Sequence, residues 1–179
     1  MLSVFVENLG KYNEGELVGR WLELPCSDDE LQSALKEIGI GSPRFDGGVY
    51  EEWFVADWDC DIPFLKYSEY PNLDEWSEVA EWFDGASERD KALVSFLLDD
   101  DMSRTFDEAV GICRSGEAYF VGGIESAYGV GRYFAEEYGL LDDVGEEVAR
   151  YFDFESYGQS FIDSGTAVIV DGGTVISYL

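Results

Sequence analysis

The sequence predicts an α+β protein built from three small domains, and three observations support this fold class. Residues 1–64 combine strand-like runs of β-branched and aromatic residues with one amphipathic helix. Residues 65–108 place apolar residues at helical spacing between acidic ones, and residues 109–179 end in a hairpin pattern. The expected domains are therefore an N-terminal antiparallel sheet with a helix (1–64), a central acidic helical bundle (65–108) and a C-terminal α+β domain with a hairpin (109–179).

The N-terminal domain is expected to begin with two paired strands, residues 3–9 and 17–24, separated by a polar turn at residues 11–16. Ser27 and Glu30 form the S-x-x-E pattern of a capping box, which predicts a helix that ends at Gly39. Residues 41–48 predict a loop, and residues 49–57 predict a third strand.

The central segment predicts short helices, each with one buried stripe. Three helices are predicted to begin after the N-cap residues Asn72, Ser87 and Thr105. Gly85 and the acidic cluster 99–101 are expected to separate these helices. From Asn72 to Glu108, twelve acidic residues face only three basic ones. The outer face of these helices is therefore expected to be almost entirely carboxylate.

The C-terminal domain is expected to mix short strands and helices. Residues 118–121 predict a strand, residues 126–138 a helix that ends at Gly139, and residues 144–151 and 153–162 shorter helices. Residues 166–170 and 174–178 predict two strands joined at Asp171-Gly172-Gly173.

Composition restricts the class of partner. The net charge is −28, yet 46% of the residues are hydrophobic and 16% aromatic, so the chain is expected to fold rather than to form a disordered acidic tail. Such a charge favours basic partners, and neither nucleic acid nor an anionic membrane is an expected ligand. No apolar run approaches the length of a membrane span, and three widely spaced cysteines predict reduced thiols in a cytoplasmic protein.

No catalytic constellation is recognisable. The chain has no histidine, no phosphate-binding loop and no complete dinucleotide fingerprint, so no enzyme activity, cofactor or metal is expected. Asp57, Asp59 and Asp61 begin like a calcium loop, but Ile62 and Ser68 occupy its sixth and twelfth positions. Two alternatives stay open: a halophile-type protein whose acids serve solubility, and an enzyme with a carboxylate-bound metal.

Helical spacing places neighbouring carboxylates about 5–6 Å apart, comparable with the roughly 3.4 Å between phosphates along one DNA strand. The acidic surface is therefore a candidate imitation of a nucleic-acid backbone. The alternative is an ordinary solvated helix face. The candidate carboxylates are Asp57, Asp59, Asp61, Glu69, Asp74, Glu75, Glu78, Glu81, Asp84, Glu88, Asp99, Asp100, Asp101, Asp107, Glu108, Glu136, Glu137, Asp142, Asp143, Glu146 and Glu147.

The longest stretch without an acidic residue, residues 126–135, is a candidate self-association surface. In a body this acidic, repulsion between two copies is least where aromatic and small residues replace carboxylates. The alternative is a helix that only faces the core of its own domain. The candidate interface residues are Ala127, Tyr128, Val130, Gly131, Arg132, Tyr133 and Phe134.

Three segments resemble the ArdA antirestriction family. Residues 5–21 are very similar to its opening N-L-x-x-Y-N-x-G-x-L-x-G-x-W, with Asn8, Tyr12, Asn13, Gly15, Gly19 and Trp21 at the matching positions. Residues 127–139 resemble its Y-x-V-x-R-Y-x-x-E-E-x-G helix, called the antirestriction motif, although Gly129 and Gly131 replace more helix-favouring residues. Residues 151–164 resemble a third segment near the C-terminus.

The resemblance implies an elongated, curved, three-domain dimer that is carried by mobile genetic elements and mimics DNA. Such a protein would occupy the DNA-binding groove in the methyltransferase core of type I restriction-modification enzymes, and block restriction and often modification. The motif helix would lie at the dimer contact. We therefore expect a cytoplasmic homodimer that inhibits by competitive exclusion.

Overall fold

The computed structural model describes residues 1–178, which form two compact units. The first unit is Met1–Ala86, and the second begins at Ser87. Each contains helices and one three-stranded antiparallel sheet. The predicted α+β class is confirmed.

The sheet of the first unit has the order β2-β1-β3, formed by β1 (Leu2–Asn8), β2 (Gly19–Leu24) and β3 (Trp53–Cys60). Alternate residues of β1 and β2, such as Val4 and Leu22, point to the same buried face. The helices α1 (Leu9–Asn13), α2 (Asp28–Glu37) and α3 (Leu73–Gly85) complete the unit. Both α2 and α3 contact β2.

Two N-terminal elements differ from the sequence expectation. The short helix α1 begins at the end of the predicted first strand and extends into the predicted polar turn, because the Asn8 side chain caps it by accepting a hydrogen bond from the Lys11 N–H. The third strand begins at Trp53 rather than at residue 49, because Tyr50 hydrogen-bonds instead with the turn at Gly41 and Ser42.

The second unit contains α4 (Glu88–Asp100), α5 (Phe106–Ser115), α6 (Ala127–Glu137), α7 (Glu146–Ala149) and α8 (Phe154–Asp163). Its strands β4 (Ala118–Gly122), β5 (Ala167–Val170) and β6 (Gly173–Ser177) form a sheet of order β4-β6-β5. Val130, Phe134, Ala167 and Ile176 form a buried cluster between α6 and this sheet. The predicted C-terminal hairpin is β5-β6.

The three predicted helix starts of the acidic segment are confirmed. Asn72, Ser87 and Thr105 are the N-caps of α3, α4 and α5, and Thr105 forms a full capping box with Glu108. The helix α3 belongs to the first unit, whereas α4 and α5 belong to the second, where α4 also contacts β4. The division into three domains with boundaries after residues 64 and 108 stays a prediction.

A close crossing of α6 and α8 organises the second unit. A Cβ atom on Gly131 would collide with the Phe154 carbonyl oxygen, and one on Gly158 would collide with the Ala127 carbonyl oxygen. The two backbones therefore touch directly at this pair of glycines. Beside them, the rings of Phe134 and Phe161 stack with their centroids 3.8 Å apart.

Candidate acidic binding surface

The helix α3 carries the most regular carboxylate face. Its buried side consists of apolar residues such as Trp76 and Val79, and its exposed side consists of Asp74, Glu75, Glu78, Glu81 and Asp84. From Asp74 to Asp84, five carboxylates occupy about 15 Å of helix axis, or one per roughly 4 Å. This linear density is close to that of phosphates along one DNA strand, one per about 3.4 Å.

Other helix ends and loops extend the acidic surface over both units. In the second unit, Glu88, Asp99 and Asp100 lie at the ends of α4, Asp101 is its C-cap, and Asp107 and Glu108 lie in the first turn of α5. The remaining predicted carboxylates lie in three places: at the end of α6, around the start of α7, and on or after β3. They are Glu136, Glu137, Asp142, Asp143, Glu146, Glu147, Asp57, Asp59, Asp61 and Glu69.

Almost all of these groups are accessible to a partner. Of the 21 predicted carboxylates, 20 are exposed and Asp101 is half-buried; over the whole chain, 36 of 39 acidic residues are exposed. The first unit has twenty acidic against five basic residues, and the second has nineteen against six. The acidic surface is therefore a property of both units and not of the central segment alone.

Basic residues neutralise little of this surface. Arg132 pairs with Glu136, Lys91 with Glu88, and Arg104 with Asp101 at 3.9 Å, while the N-terminal amine pairs with Asp61. Such exposed pairs are weak, because water screens them and holding the side chains costs entropy. A basic partner could therefore replace the internal cations at little cost.

Several acidic residues are held in the ionised form by caps and turns. Hydrogen bonds from the backbone and hydroxyl of Thr105 lower the pKa of Glu108, and those of Ser27 lower the pKa of Glu30. The hydroxyl and backbone of Ser103 lower the pKa of Asp101 in the same way. These groups remain charged to lower pH than an ordinary carboxyl group.

The motif helix α6 divides its residues between the core and the surface. Val130, Gly131 and Phe134 are buried within the unit, whereas Tyr128 and Arg132 are exposed. Ala127 and Tyr133 are partly buried, and the Tyr133 hydroxyl lies 3.2 Å from that of Tyr119. Only part of the helix is therefore available to a second copy, so the dimer contact stays a prediction that rests on the exposed part.

The matching positions of the N-terminal segment mostly have structural roles. Asn8 is fully buried, caps α1 and donates a hydrogen bond to the Ile38 carbonyl oxygen at 3.0 Å. Gly15 has a φ of 86°, which favours glycine, and Gly19 lies directly under the Phe5 ring. Tyr12 and Trp21, in contrast, are about half-exposed, and Asn13 is exposed.

Sequence reasoning missed Glu7, which is only 3% exposed. It is the most buried carboxylate of the described chain, and its Oε1 atom has no hydrogen-bond partner among residues 1–178. Alternation along β1 places Glu7 on the face opposite to Val4 and Val6, which suggests exposure. Its burial could not be inferred from the alternation along β1.

Within residues 1–178, no group of three or more potential ligand side chains is placed to hold a metal ion. No helix in the same range has the length and hydrophobicity needed to cross a membrane.

The fold and surface define an acidic α+β protein in which 36 of the 39 acidic residues are exposed to solvent. A family model described as Antirestriction protein (ArdA) matches residues 4–176, nearly the whole chain. The chain therefore belongs to the ArdA antirestriction family, as the three sequence segments indicated. The description of this family names antirestriction and no catalytic activity. No curated protein matches the chain.

Proposed function

We propose that this antirestriction protein acts as a DNA mimic, which occupies the DNA-binding groove of type I restriction-modification enzymes. The single observation that carries the proposal is the exposure of 36 of the 39 acidic residues across both units. Arginine and lysine side chains that bind phosphates would bind these carboxylates through the same charge-assisted hydrogen bonds.

The amount of charge suits a large enzyme. Two copies would carry −56, twice the −28 of one chain. At about 1.7 Å of duplex axis per charge, this equals roughly 95 Å of DNA, or about 28 base pairs. Because cleavage and methylation both require DNA in the groove, the proposed inhibition extends from restriction to modification.

Dimerisation is proposed through the exposed side of α6. Tyr128 and Arg132 project from this helix, and the flanking Ala127 and Tyr133 are partly accessible. The buried Val130, Gly131 and Phe134 would act indirectly by fixing α6 against α8 and the sheet. Replacement of Tyr128 should weaken the dimer without unfolding the unit.

The proposed partners are thus the restriction-modification enzyme and a second copy of the chain, and not nucleic acid or membrane. Competitive exclusion requires no catalytic group and no cofactor. A target that acts on DNA inside the cell places the protein in the cytoplasm.

A competition assay tests this function. A type I enzyme is bound to a labelled duplex, and the protein is added at several salt concentrations. We expect displacement at low stoichiometry that weakens steeply as salt rises. Failure to displace DNA from enzymes of several type I families would contradict the proposal.

A further inference from the structure

Glu7 carries the one buried carboxylate among the described residues. The residue is 3% exposed, and Oε1 lacks a hydrogen-bond partner within residues 1–178. A carboxylate oxygen that is removed from water without a hydrogen-bond partner is unfavourable. Such a group suggests a site that is completed by something outside the chain.

Glu7 lies on the face of the first sheet that is opposite to the buried core face. Residues directly across antiparallel strands share a face. Glu7 therefore lies between Gly19 on β2 and Phe54 on β3, and Phe5 precedes it by two residues on the same strand. On this face, Trp21 lies across from Phe5.

Aromatic rings flank the carboxylate on both sides. The Phe5 ring lies over Gly19 and meets Trp21 edge-to-face, with their centroids 5.5 Å apart. On the other side, Phe54 meets Tyr12 edge-to-face at 5.4 Å. Trp21 and Tyr12 are 46% and 50% exposed, so the outer ring of each pair faces solvent.

The charge of the face is entirely negative. Its nine strand positions, Ser3, Phe5, Glu7, Gly19, Trp21, Glu23, Phe54, Asp57 and Asp59, include four carboxylates and no basic residue. The exposed Glu23, Asp57 and Asp59 lie towards one end, and Glu7 lies at the other among the rings. The face therefore complements a cation with an apolar or planar body.

We propose that this aromatic-carboxylate face receives an arginine side chain of a protein partner, whose guanidinium pairs with Glu7 between the rings. A planar, weakly hydrated guanidinium stacks on aromatic faces and loses its water more easily than an ammonium group. Phe5 and Phe54 are only partly buried, and side-chain rearrangements of this kind are common when partners bind. In the setting of the proposed function, on which this identification of the partner rests, the arginine belongs to the restriction-modification enzyme.

Glu7 should differ from the exposed carboxylates in its effect on binding. When one exposed carboxylate is removed, neighbouring carboxylates can still pair with the basic partner, so its loss has a small effect on binding. A buried charge pair is less replaceable, and loss of one member weakens binding strongly. The same burial implies that neutralising Glu7 stabilises the free protein, which is the reverse of what a purely structural residue would show.

The first test uses blocked arginine, N-acetylarginine amide, as the probe of the full chain. Its binding is followed by NMR at the Gly19 amide and the Trp21 indole. We expect a saturable shift in the unaltered protein and at least about tenfold weaker binding in Glu7→Gln. Asp163→Asn, which removes one charge from the second unit, is the matched control and should bind as the unaltered protein does. The neutral analogue, N-acetylcitrulline amide, should not bind.

Thermal melting of the same variants gives the second readout, and Glu7→Gln should melt at a higher temperature than the unaltered protein. Absence of a saturable shift, equal binding by Glu7→Gln, or a lower melting temperature of that variant would overturn the proposal. Tighter binding of tetramethylammonium than of blocked arginine would overturn the assignment to arginine.

Displacement of a labelled duplex from a type I enzyme connects the site to the proposed function. Glu7→Gln should need at least about tenfold more protein than Asp163→Asn for the same displacement. Equal potency of the two variants would overturn the role of this face in enzyme binding. If the unaltered protein displaced no DNA, the DNA-mimic function would fail, whereas blocked arginine would still decide whether the site exists.

Discussion

Two glycines of the second unit illustrate how single residues determine packing. Gly131 and Gly158 allow the backbones of α6 and α8 to touch, so a methyl group at either position would force the helices apart. We expect Gly131→Ala to destabilise the unit by about 1–3 kcal/mol, as overpacking does.

Gly111 of α5 is the matched control, because a Cβ there meets no atom within 4 Å. Gly111→Ala should stabilise the protein by roughly 0.5–1 kcal/mol. Chemical denaturation measures both changes in the free energy of unfolding. A Gly131→Ala variant as stable as the unaltered protein would contradict the close crossing of α6 and α8.

A second prediction at the residue scale concerns Cys113. Two causes raise the pKa of this thiol to about 11. The larger is its partial burial, and the second is the hydrogen bond that it donates to the Asp90 carboxylate at 3.4 Å. The thiol should therefore be alkylated about tenfold more slowly than free cysteine at pH 8, after its higher intrinsic nucleophilicity is allowed for. Asp90→Asn should lower the pKa and accelerate the reaction. The measurement is iodoacetamide labelling in a Cys26→Ser, Cys60→Ser background, and labelling at the rate of free cysteine would refute it.

Because its pKa is raised, the Cys113 thiol makes the stability of the folded protein depend on pH. The folded protein holds the Cys113 proton more tightly than the unfolded chain does. The resulting stabilisation is complete below the unfolded pKa and is lost as the pH rises from there through about 11.

At the scale of elements, the position of a carboxylate along its helix determines whether its charge stabilises or destabilises that helix. Acids in the first turn, such as Asp74 and Asp107, are stabilised by the helix dipole, whereas Asp99 and Asp100 at the end of α4 are opposed by it. Neutralising Asp99 or Asp100 to Asn should raise stability by about 0.3–1 kcal/mol, and neutralising Asp74 or Asp107 should lower it by a similar amount.

Inhibition should follow a different rule. Each of these single changes should weaken binding to the enzyme by less than about fivefold, and the losses should accumulate as changes are combined. Thermal melting and DNA displacement on the same set of variants separate the two effects. A single exposed carboxylate whose neutralisation abolished inhibition in a folded protein would be incompatible with a distributed mimic.

The elements also show what sequence can predict. Helix starts at Ser27, Asn72, Ser87 and Thr105 were predictable, because capping is a local interaction between residues two or three positions apart. The short helix α1 was not, because its cap residue Asn8 lies inside the predicted strand 3–9, where Val4, Phe5 and Val6 favour β structure.

The candidate site was predictable to a similar degree. Helical periodicity placed the acids of α3 on its outer face, but the alternation along β1 suggests exposure of Glu7, which is buried. The motif helix was located correctly, yet its division between core and surface depends on Gly158 and on the β4-β6-β5 sheet. Non-local packing of this kind leaves no periodic pattern in the sequence.

At the scale of the whole molecule, the net charge of −28 makes both stability and binding depend on salt. Added salt should raise the stability of the folded protein and weaken its binding to a basic partner. Self-repulsion lowers the stability of the folded state, and salt screens it. We expect a folded protein at low ionic strength whose melting temperature rises moderately with added salt. A chain that folds only in molar salt would instead support the halophile alternative.

The most direct test of the DNA-mimic account is binding of the protein to a DNA-free type I enzyme, measured as a function of salt and of added duplex. The account predicts that log K falls linearly with log salt concentration, as it does for DNA, and that saturating duplex abolishes binding. Binding that is insensitive to salt, or a ternary complex of enzyme, duplex and inhibitor, would contradict it.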